Sequence, residues 1–94
     1  MKIIEYVDLD ASRVKRQYDK LKGFLASDDF YSAEVKKLAD HDLYRAKLDD
    51  TNRLLFTIMT FGGEPYALIL EVVHHHAYEK SKFLRGVPVD GIHS

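Results

Sequence analysis

The nearly continuous apolar run YALILEVVHH, at residues 66–75, constrains the fold more than any other part of this sequence. Its length is that of a strand rather than of a membrane span, and such runs are typical of a strand covered on at least one face. The preceding residues 43–61, LYRAKLDDTNRLLFTIMTF, predict two strands joined by a tight turn at DDTN. GGEP at 62–65 predicts the next turn. Because these three strands are consecutive, we expect an antiparallel meander.

The N-terminal part of the chain predicts one strand and two helices. Isoleucine and valine in loose alternation predict a strand over residues 2–8, which we expect to pair beside the 66–75 strand. Asp10 or Ser12 can then cap a helix over residues 13–25. The segment FYSAEVKKLA predicts a second helix over residues 30–39.

The first predicted helix has an apolar stripe and a basic remainder. Apolar residues recur at spacings of four, three and four, which is one face of a helix: Val14, Tyr18, Leu21 and Leu25. The basic residues include Arg13, Lys15 and Arg16. This basic group is either a solvated helix face or an electrostatic docking face for RNA or an acidic partner.

The predicted order of elements is therefore β-α-α-β-β-β, an α+β fold in which a helical hairpin packs on one face of a small meander sheet. A chain of 94 residues forms one domain, which we place at residues 1–86. Gly86, Pro88 and Gly91 predict a flexible tail at 87–94.

Composition limits the functional classes. Cysteine is absent, which excludes disulfides and thiolate metal sites and permits a reducing compartment. The first ten residues carry acids and no long apolar core, so we expect no signal peptide, no membrane partner and a cytoplasmic protein. The net charge is −1 and the pI about 6.5, so any phosphate-binding surface must come from local clustering of cations.

Strand alternation predicts which charged side chains share a face of the sheet. If the helices cover the leucine-rich side of the 66–75 strand, Arg45, Lys47, Glu71 and His75 face the other side. Arg53, near the hairpin turn, can join them. Arginine and lysine can hold a phosphodiester, and histidine, whose pKa ordinarily lies near neutrality, can move protons. The alternative interpretation is a solvated face of a half-covered sheet.

The triple histidine at 74–76 raises the question of a metal site. Neighbouring side chains of an extended strand point to opposite faces, so the three imidazoles cannot converge on one ion. Nothing nearby in the sequence completes a pair formed by His74 and His76. We therefore expect no metal and no cofactor, and the histidines can equally be polar residues where an apolar strand emerges into solvent.

These residues resemble a known family, the RelE/ParE toxin superfamily, over about residues 2–84. In that family a Tyr-Arg-x-Arg/Lys strand leads into a hairpin with a second arginine, and the matching residues here are Tyr44, Arg45, Lys47 and Arg53. A histidine-containing element with a nearby tyrosine follows the last strand, here residues 74–76 and Tyr78.

The resemblance implies an antitoxin partner and, for the ribosome-dependent members, cleavage of messenger RNA. It implies that Arg45 and Arg53 hold the phosphate, with Lys47 supporting them or activating the nucleophile. It further implies that His75 or His76 is the acid or base.

Tyr78 would then orient the RNA or share in proton transfer. A non-catalytic module of the same fold is the alternative, either an accessory domain of a nucleic-acid enzyme such as a helicase or a gyrase-directed inhibitor. The near-neutral charge favours this alternative, and a homodimer is left open.

Overall fold

The computed structural model describes residues 1–38, 41–75, 77, 81 and 83, together with the backbone of 92–93. One six-stranded sheet has the order β2-β3-β4-β5-β1-β6. The strands are β1 (Lys2–Tyr6), β2 (Lys36–Lys37), β3 (Tyr44–Lys47), β4 (Asn52–Phe61), β5 (Glu64–His74) and β6 (Ile92–His93). A 3-10 turn, Ser12–Val14, leads into the helix α1, Lys15–Ala26. The α+β class is confirmed.

The predicted meander is confirmed. Strands β3, β4 and β5 pair antiparallel in sequence order, and β1 pairs parallel with β5, as expected for the first strand. The β4–β5 turn is the pair Gly62 and Gly63, with φ angles of 57° and 81°. Glycine adopts these left-handed angles without steric strain, and they suit the twist of a two-residue hairpin.

The predicted apolar stripe of the first helix is the face that packs on the sheet. All four residues are 5% exposed or less: Val14, Tyr18, Leu21 and Leu25. They join a core cluster that includes Ala46 and Phe56 from the meander strands and Ala67 and Ile69 from β5. The carboxylate of Asp10 accepts the N–H of Ser12 at 3.0 Å, which orders the start of the helical region.

The predicted second helix at 30–39, and with it the helical hairpin, is wrong over the described residues 30–38. Residues 30–34 form turns, Glu34 has a left-handed φ of 51°, and the chain then enters β2. The carbonyl of Ala33 accepts the N–H of Lys47 at 3.1 Å, and β2 pairs with β3. These backbone groups bond to the neighbouring strand, so they are not available for a helix.

The condition considered above, that helices cover the leucine-rich side of β5, is not met. Helix α1 packs on the side of Ala67 and Ile69, whereas Leu68 and Leu70 lie in a second cluster on the opposite face. That cluster is completed by three buried residues that lie outside the strands: Leu38, Leu43 and Phe83. An apolar strand with both faces buried gives no periodic signal of which face meets the helix.

A β-bulge in β5 changes its alternation. Leu55 of β4 is opposite Glu71, but the next residue, Phe56, is opposite Ile69, so Leu70 is an extra residue. Beyond the bulge, Val72 packs in the α1 cluster and Val73 in the second cluster. Glu71 therefore lies on the face away from α1, which is the face that carries Leu55.

The proposed boundary between a domain at 1–86 and a tail at 87–94 stays a prediction, since most of that segment is outside the described residues. Ile92 and His93 are described, and they pair antiparallel with Tyr6 and Glu5 of β1. Within the described part of the chain, no helix is long and apolar enough to cross a membrane.

Candidate phosphate-binding surface

Two pairs of like charges lie directly opposite each other in adjacent strands. Lys36 of β2 is opposite Arg45 of β3, and Lys47 of β3 is opposite Arg53 of β4. Ala46 packs under α1, so alternation directs Arg45 and Lys47 to the other face of the sheet. Lys36, Arg45, Lys47 and Arg53 are called the four-cation surface below.

Cations that face each other across an antiparallel pair destabilise the sheet. The register of β3 against β4 is nevertheless fixed, because Ala46 and its partner Leu54 are both fully buried beneath α1. The backbone therefore sets the four cations opposite one another in two pairs, with Lys36 and Arg45 on the face away from α1 and Lys47 at the end of β3, where it also lines a cleft with α1. An anion bound there would relieve the repulsion, and such a rigid cationic surface is suited to a phosphate.

The guanidinium of Arg53 is held by the β3–β4 turn. Its Nη1 donates to the carbonyls of Asp49 and Asn52, while its Nε is buried without a hydrogen-bond partner in the described part of the chain. The turn itself is organised by the Asp49 carboxylate, which accepts the N–H groups of Thr51 at 2.8 Å and Asn52 at 2.7 Å. These N–H groups hold the pKa of Asp49 below its usual value.

Lys47 has two carboxylates nearby. Its Nζ lies 3.4 Å from the carboxylate of Asp50 and 4.0 Å from that of Glu34. Lys47 also lines a cleft of about 240 Å³ between α1 and the edge of β3, beside Lys20 of the helix. Both carboxylates are largely exposed, so these ion pairs are weak and can exchange for a bound anion.

Arg45 lies in a row of side chains that crosses four strands. The row runs from Lys36 through Arg45 and the buried Leu55 to Glu71, each opposite the next. Arg45 and Glu71 are both half-buried. The sequence prediction placed Glu71 and Arg45 on one face, and the register agrees. This agreement results from two compensating differences. Helix α1 covers the other side of β5 from the one assumed, and the bulge reverses the alternation before Glu71.

His75 is anchored to the same turn as Arg53. Its N–H donates to the carbonyl of Thr51 at 2.8 Å, and its Nδ1 lies 3.1 Å from that oxygen. When Nδ1 carries the proton and donates to this carbonyl, the lone pair of the imidazole is on Nε2. Arg53 donates to the carbonyl of Asn52, the residue that follows Thr51. One turn therefore positions a guanidinium and an imidazole.

The argument that strand geometry separates the histidines does not hold at His74 and His75. Their rings stack, with centroids 4.6 Å apart and planes inclined by 29°. The reason is that β5 ends at His74, so alternation no longer applies to the next residue. Over the residues that the structure describes, no group of three or more histidine, aspartate or glutamate side chains could hold a metal ion.

Two predicted site residues, His76 and Tyr78, lie outside the described residues. The described residues on either side of them are fixed. The N–H of Ala77 donates to the carbonyl of His74 at 2.8 Å, and Phe83 packs edge-on against Tyr6 with ring centroids 4.9 Å apart.

The basic residues of the first helical region are not part of the four-cation surface. Arg13, Lys15 and Arg16 are exposed, and they belong to the layer that covers the opposite face of the sheet. An RNA strand that touched both groups would have to pass around an edge of the sheet. Their role in RNA binding stays a prediction.

Lys36 is the cation that sequence reasoning missed. Residues 30–39 were interpreted as a helix, and that interpretation gave Lys36 no position in the sheet. Its register opposite Arg45 is visible only once β2 is recognised. A strand of two residues offers too short an alternation to be detected in a sequence.

Comparison with solved structures identifies the architecture. A YoeB/ParE toxin from Agrobacterium tumefaciens matches with a TM-score of 0.57, over 80% of this chain and 99% of that one. The chain shares the fold of that toxin. Sequence identity to the toxin is 10%, so the likeness concerns the fold. No protein-family model matches the sequence, and no curated protein matches it.

Proposed function

We propose that this chain is the toxin of a toxin–antitoxin system and that it cuts messenger RNA on the ribosome. The observation that carries the proposal is the four-cation surface on a RelE/ParE-like fold. Two opposed pairs of cations are unfavourable for the folded sheet alone, and they match the charge of a phosphodiester. The His75 imidazole, anchored to the same turn as Arg53, adds a group that can transfer protons.

The proposed reaction is a transesterification. The ribose 2′-oxygen forms a bond to the adjacent phosphorus, and the bond from phosphorus to the 5′-oxygen of the next nucleotide breaks. A base takes the proton of the 2′-hydroxyl, and an acid gives a proton to the departing 5′-oxygen. The products are a 2′,3′-cyclic phosphate and a 5′-hydroxyl. Negative charge grows on the phosphoryl oxygens in the transition state, where fixed cations stabilise it.

Arg45 and Arg53 hold the phosphate in this mechanism, and Lys47 supports them or helps to activate the nucleophile. A guanidinium suits this role because it can donate several hydrogen bonds to phosphate oxygens, and in Arg53 the Nη2 is left to do so, since Nη1 bonds the carbonyls of Asp49 and Asn52 and Nε is buried. Arg53 is ordered before the substrate arrives, because the carbonyls of Asp49 and Asn52 fix its Nη1.

His75 or His76 moves the protons, and Tyr78 orients the RNA or shares in proton transfer. The interaction of His75 Nδ1 with the carbonyl of Thr51 favours the tautomer that carries its lone pair on Nε2, as a base requires.

The proposed partners are a cognate antitoxin and the ribosome with its messenger RNA, in the cytoplasm. The fold itself supports an antitoxin partner. The exposed basic residues Arg13, Lys15 and Arg16 provide a second docking face for RNA or for an acidic segment of the partner.

Primer extension on a translated messenger RNA tests the proposal. We expect new 3′ ends with the wild type and none with the Arg45→Ala/Arg53→Ala double variant. Lys37→Ala is the matched control, because Lys37 lies in β2 but pairs with Tyr44, whose ring packs in the α1 cluster. Absence of cleavage by the wild type, or equal cleavage by the double variant, would contradict the proposal.

A non-catalytic binding module is the second candidate, and the net charge of −1 is the observation that favours it. Ribosome-directed ribonucleases need affinity for a polyanion, which bulk neutrality does not supply. If the wild type leaves the messenger RNA intact but binds single-stranded nucleic acid through Arg45 and Arg53, the second candidate is correct.

A further inference from the structure

Lys36 occupies a distinctive place at the edge of the sheet. It lies in the two-residue strand β2, it is exposed, and its Cα is paired with that of Arg45. Leu38, two residues later, packs in the second cluster, on the face away from α1. Alternation therefore puts Lys36 on the same face as Arg45.

Lys37 has the same charge as Lys36 and lies in the same strand, but it is on the opposite face of the sheet. It is paired with Tyr44, which stacks on Phe56 beneath α1 at a centroid distance of 5.5 Å. Val35, two residues before Lys37, also packs in the α1 cluster. The two neighbouring lysines thus form a natural comparison in which only the face of the sheet differs.

Lysines on edge strands also have a purely structural use, since they discourage pairing with a second chain. That use applies equally to Lys36 and Lys37. The two differ in that Lys36 is directly opposite another cation. Within the described part of the chain, Lys36 forms no ion pair within 4.0 Å, whereas Lys47 lies close to two carboxylates.

We propose that Lys36 binds a phosphate that flanks the scissile one, so that the RNA strand crosses the sheet from β4 over β3 to β2. Adjacent strands are about 4.8 Å apart and residues two apart in one strand about 6.6 Å, so the backbone positions of Arg53 and Lys36 are about 12 Å apart. One strand of a duplex carries a phosphate about every 3.4 Å of helix axis, and an extended single strand spaces them more widely, but this length still accommodates more than one. The substrate is then a single-stranded segment longer than the cleaved dinucleotide.

The inference rests on the proposed function, because it extends the same surface. The test uses the full chain and a fluorescein-labelled, 2′-O-methylated single-stranded RNA of about 12 nucleotides, long enough for such a surface and unable to react. Dissociation constants are measured by anisotropy over a series of salt concentrations for the wild type, Lys36→Gln and Lys37→Gln. Circular dichroism verifies that each variant is folded.

We expect Lys36→Gln to weaken binding about twofold to fivefold at low salt, as for one exposed ionic contact. The slope of log affinity against log salt should become shallower by about 0.7, the value for one phosphate of a single strand. Lys37→Gln should change neither quantity.

The Arg45→Ala/Arg53→Ala variant separates the two possible failures. If this variant loses RNA binding while Lys36→Gln and Lys37→Gln behave alike, the role of Lys36 is wrong and the phosphate-binding role of Arg45 and Arg53 in the proposed function stands. If the wild type does not bind RNA, or the double arginine variant binds as well as the wild type, both are wrong.

Discussion

Lys47 of β3 lies directly opposite Arg53 of β4, although both side chains are cations. The buried pair Ala46 and Leu54 fixes this register, so the two charges cannot move apart by a shift of the strands. Lys36 and Arg45 repeat the arrangement one strand further along. The sheet therefore places two pairs of like charges opposite each other at the surface that we propose for RNA, and four expectations follow from this and the neighbouring contacts.

Reversing one charge should stabilise the protein and weaken its interaction with RNA. Lys36→Glu places a carboxylate opposite Arg45, and a favourable cross-strand pair should raise the free energy of unfolding by about 0.2–1 kcal/mol. Lys37→Glu is the control, because Lys37 is opposite the uncharged Tyr44. Urea denaturation measures the free energy of unfolding of the two variants and of the wild type. A gain with the control as large as with Lys36→Glu would argue against cross-strand repulsion.

Asp49 should give the β3–β4 turn a pH-dependent stability. Removing its carboxylate in Asp49→Ala should cost about 1 kcal/mol at neutral pH, because two backbone N–H groups lose their acceptor. The pKa of Asp49 is lowered in the folded protein, so its contribution is present above the unfolded-state pKa of about 4 and is lost as the pH falls through the folded-state value.

Urea denaturation at several pH values tests this expectation through the difference between wild type and Asp49→Ala. The difference should shrink towards zero at acidic pH. Asp50→Ala serves as the control, since that side chain is 99% exposed and should matter by about 0.5 kcal/mol or less. A difference independent of pH would show that the carboxylate charge is not the cause.

Tyr18 should stabilise the contact between α1 and β1, and this stabilisation should decline at alkaline pH. Its ring is buried and its hydroxyl donates to the carboxylate of Glu5. Burial, and then this carboxylate, raise the pKa of Tyr18 above its usual value. The stabilisation is complete below the unfolded-state pKa of about 10, and it declines as the pH rises above that value.

We therefore expect Tyr18→Phe to lower the free energy of unfolding by about 1 kcal/mol at neutral pH, the size of one hydrogen bond, and by less at alkaline pH. Tyr31→Phe is the control, because Tyr31 is 94% exposed. If Tyr18→Phe were as stable as the wild type at neutral pH, the hydrogen bond to Glu5 would have no net value.

Phe83 should be essential to the second core cluster. It is 1% exposed and packs with Tyr6 and with the leucines on the face away from α1. Phe83→Ala should cost about 3–5 kcal/mol, as for other buried aromatic residues. Val7→Ala, at a residue that is 57% exposed, should change stability little. A small effect of Phe83→Ala in thermal or urea denaturation would mean that this face is not covered in solution.

The elements that could be predicted from sequence are those whose signal is local. The stripe of α1 recurs over three turns, and the strands of the meander are separated by turns with Asp-Asp-Thr-Asn and Gly-Gly chemistry. The segment that includes Glu34 and β2 could not be predicted, because its conformation depends on bonds to β3 from distant residues. The position of Lys36 was lost for the same reason.

The arrangement of the site was harder to predict than its composition. Arg45, Lys47 and Arg53 could be assigned to one face because β3 and β4 alternate regularly. Nothing local in the sequence marks Leu70 as the extra residue, since a leucine is equally suited to a regular buried strand. The end of β5 at His74 is likewise set by the turn at Thr51, which bonds the N–H of His75.

The bulge at Leu70 has a consequence for how this strand tolerates change in length. Before the bulge the odd-numbered residues of β5 face α1, and after it the even-numbered residues do, because Leu70 is an extra residue. Deleting the extra residue Leu70 would leave Ile69 opposite Phe56 and Glu71 opposite Leu55 in a regular ladder, so Glu71 would stay on the face away from α1 and Val72 would stay beneath α1. The loss of one residue at the bulge would thus preserve the packing side and the charged side of β5.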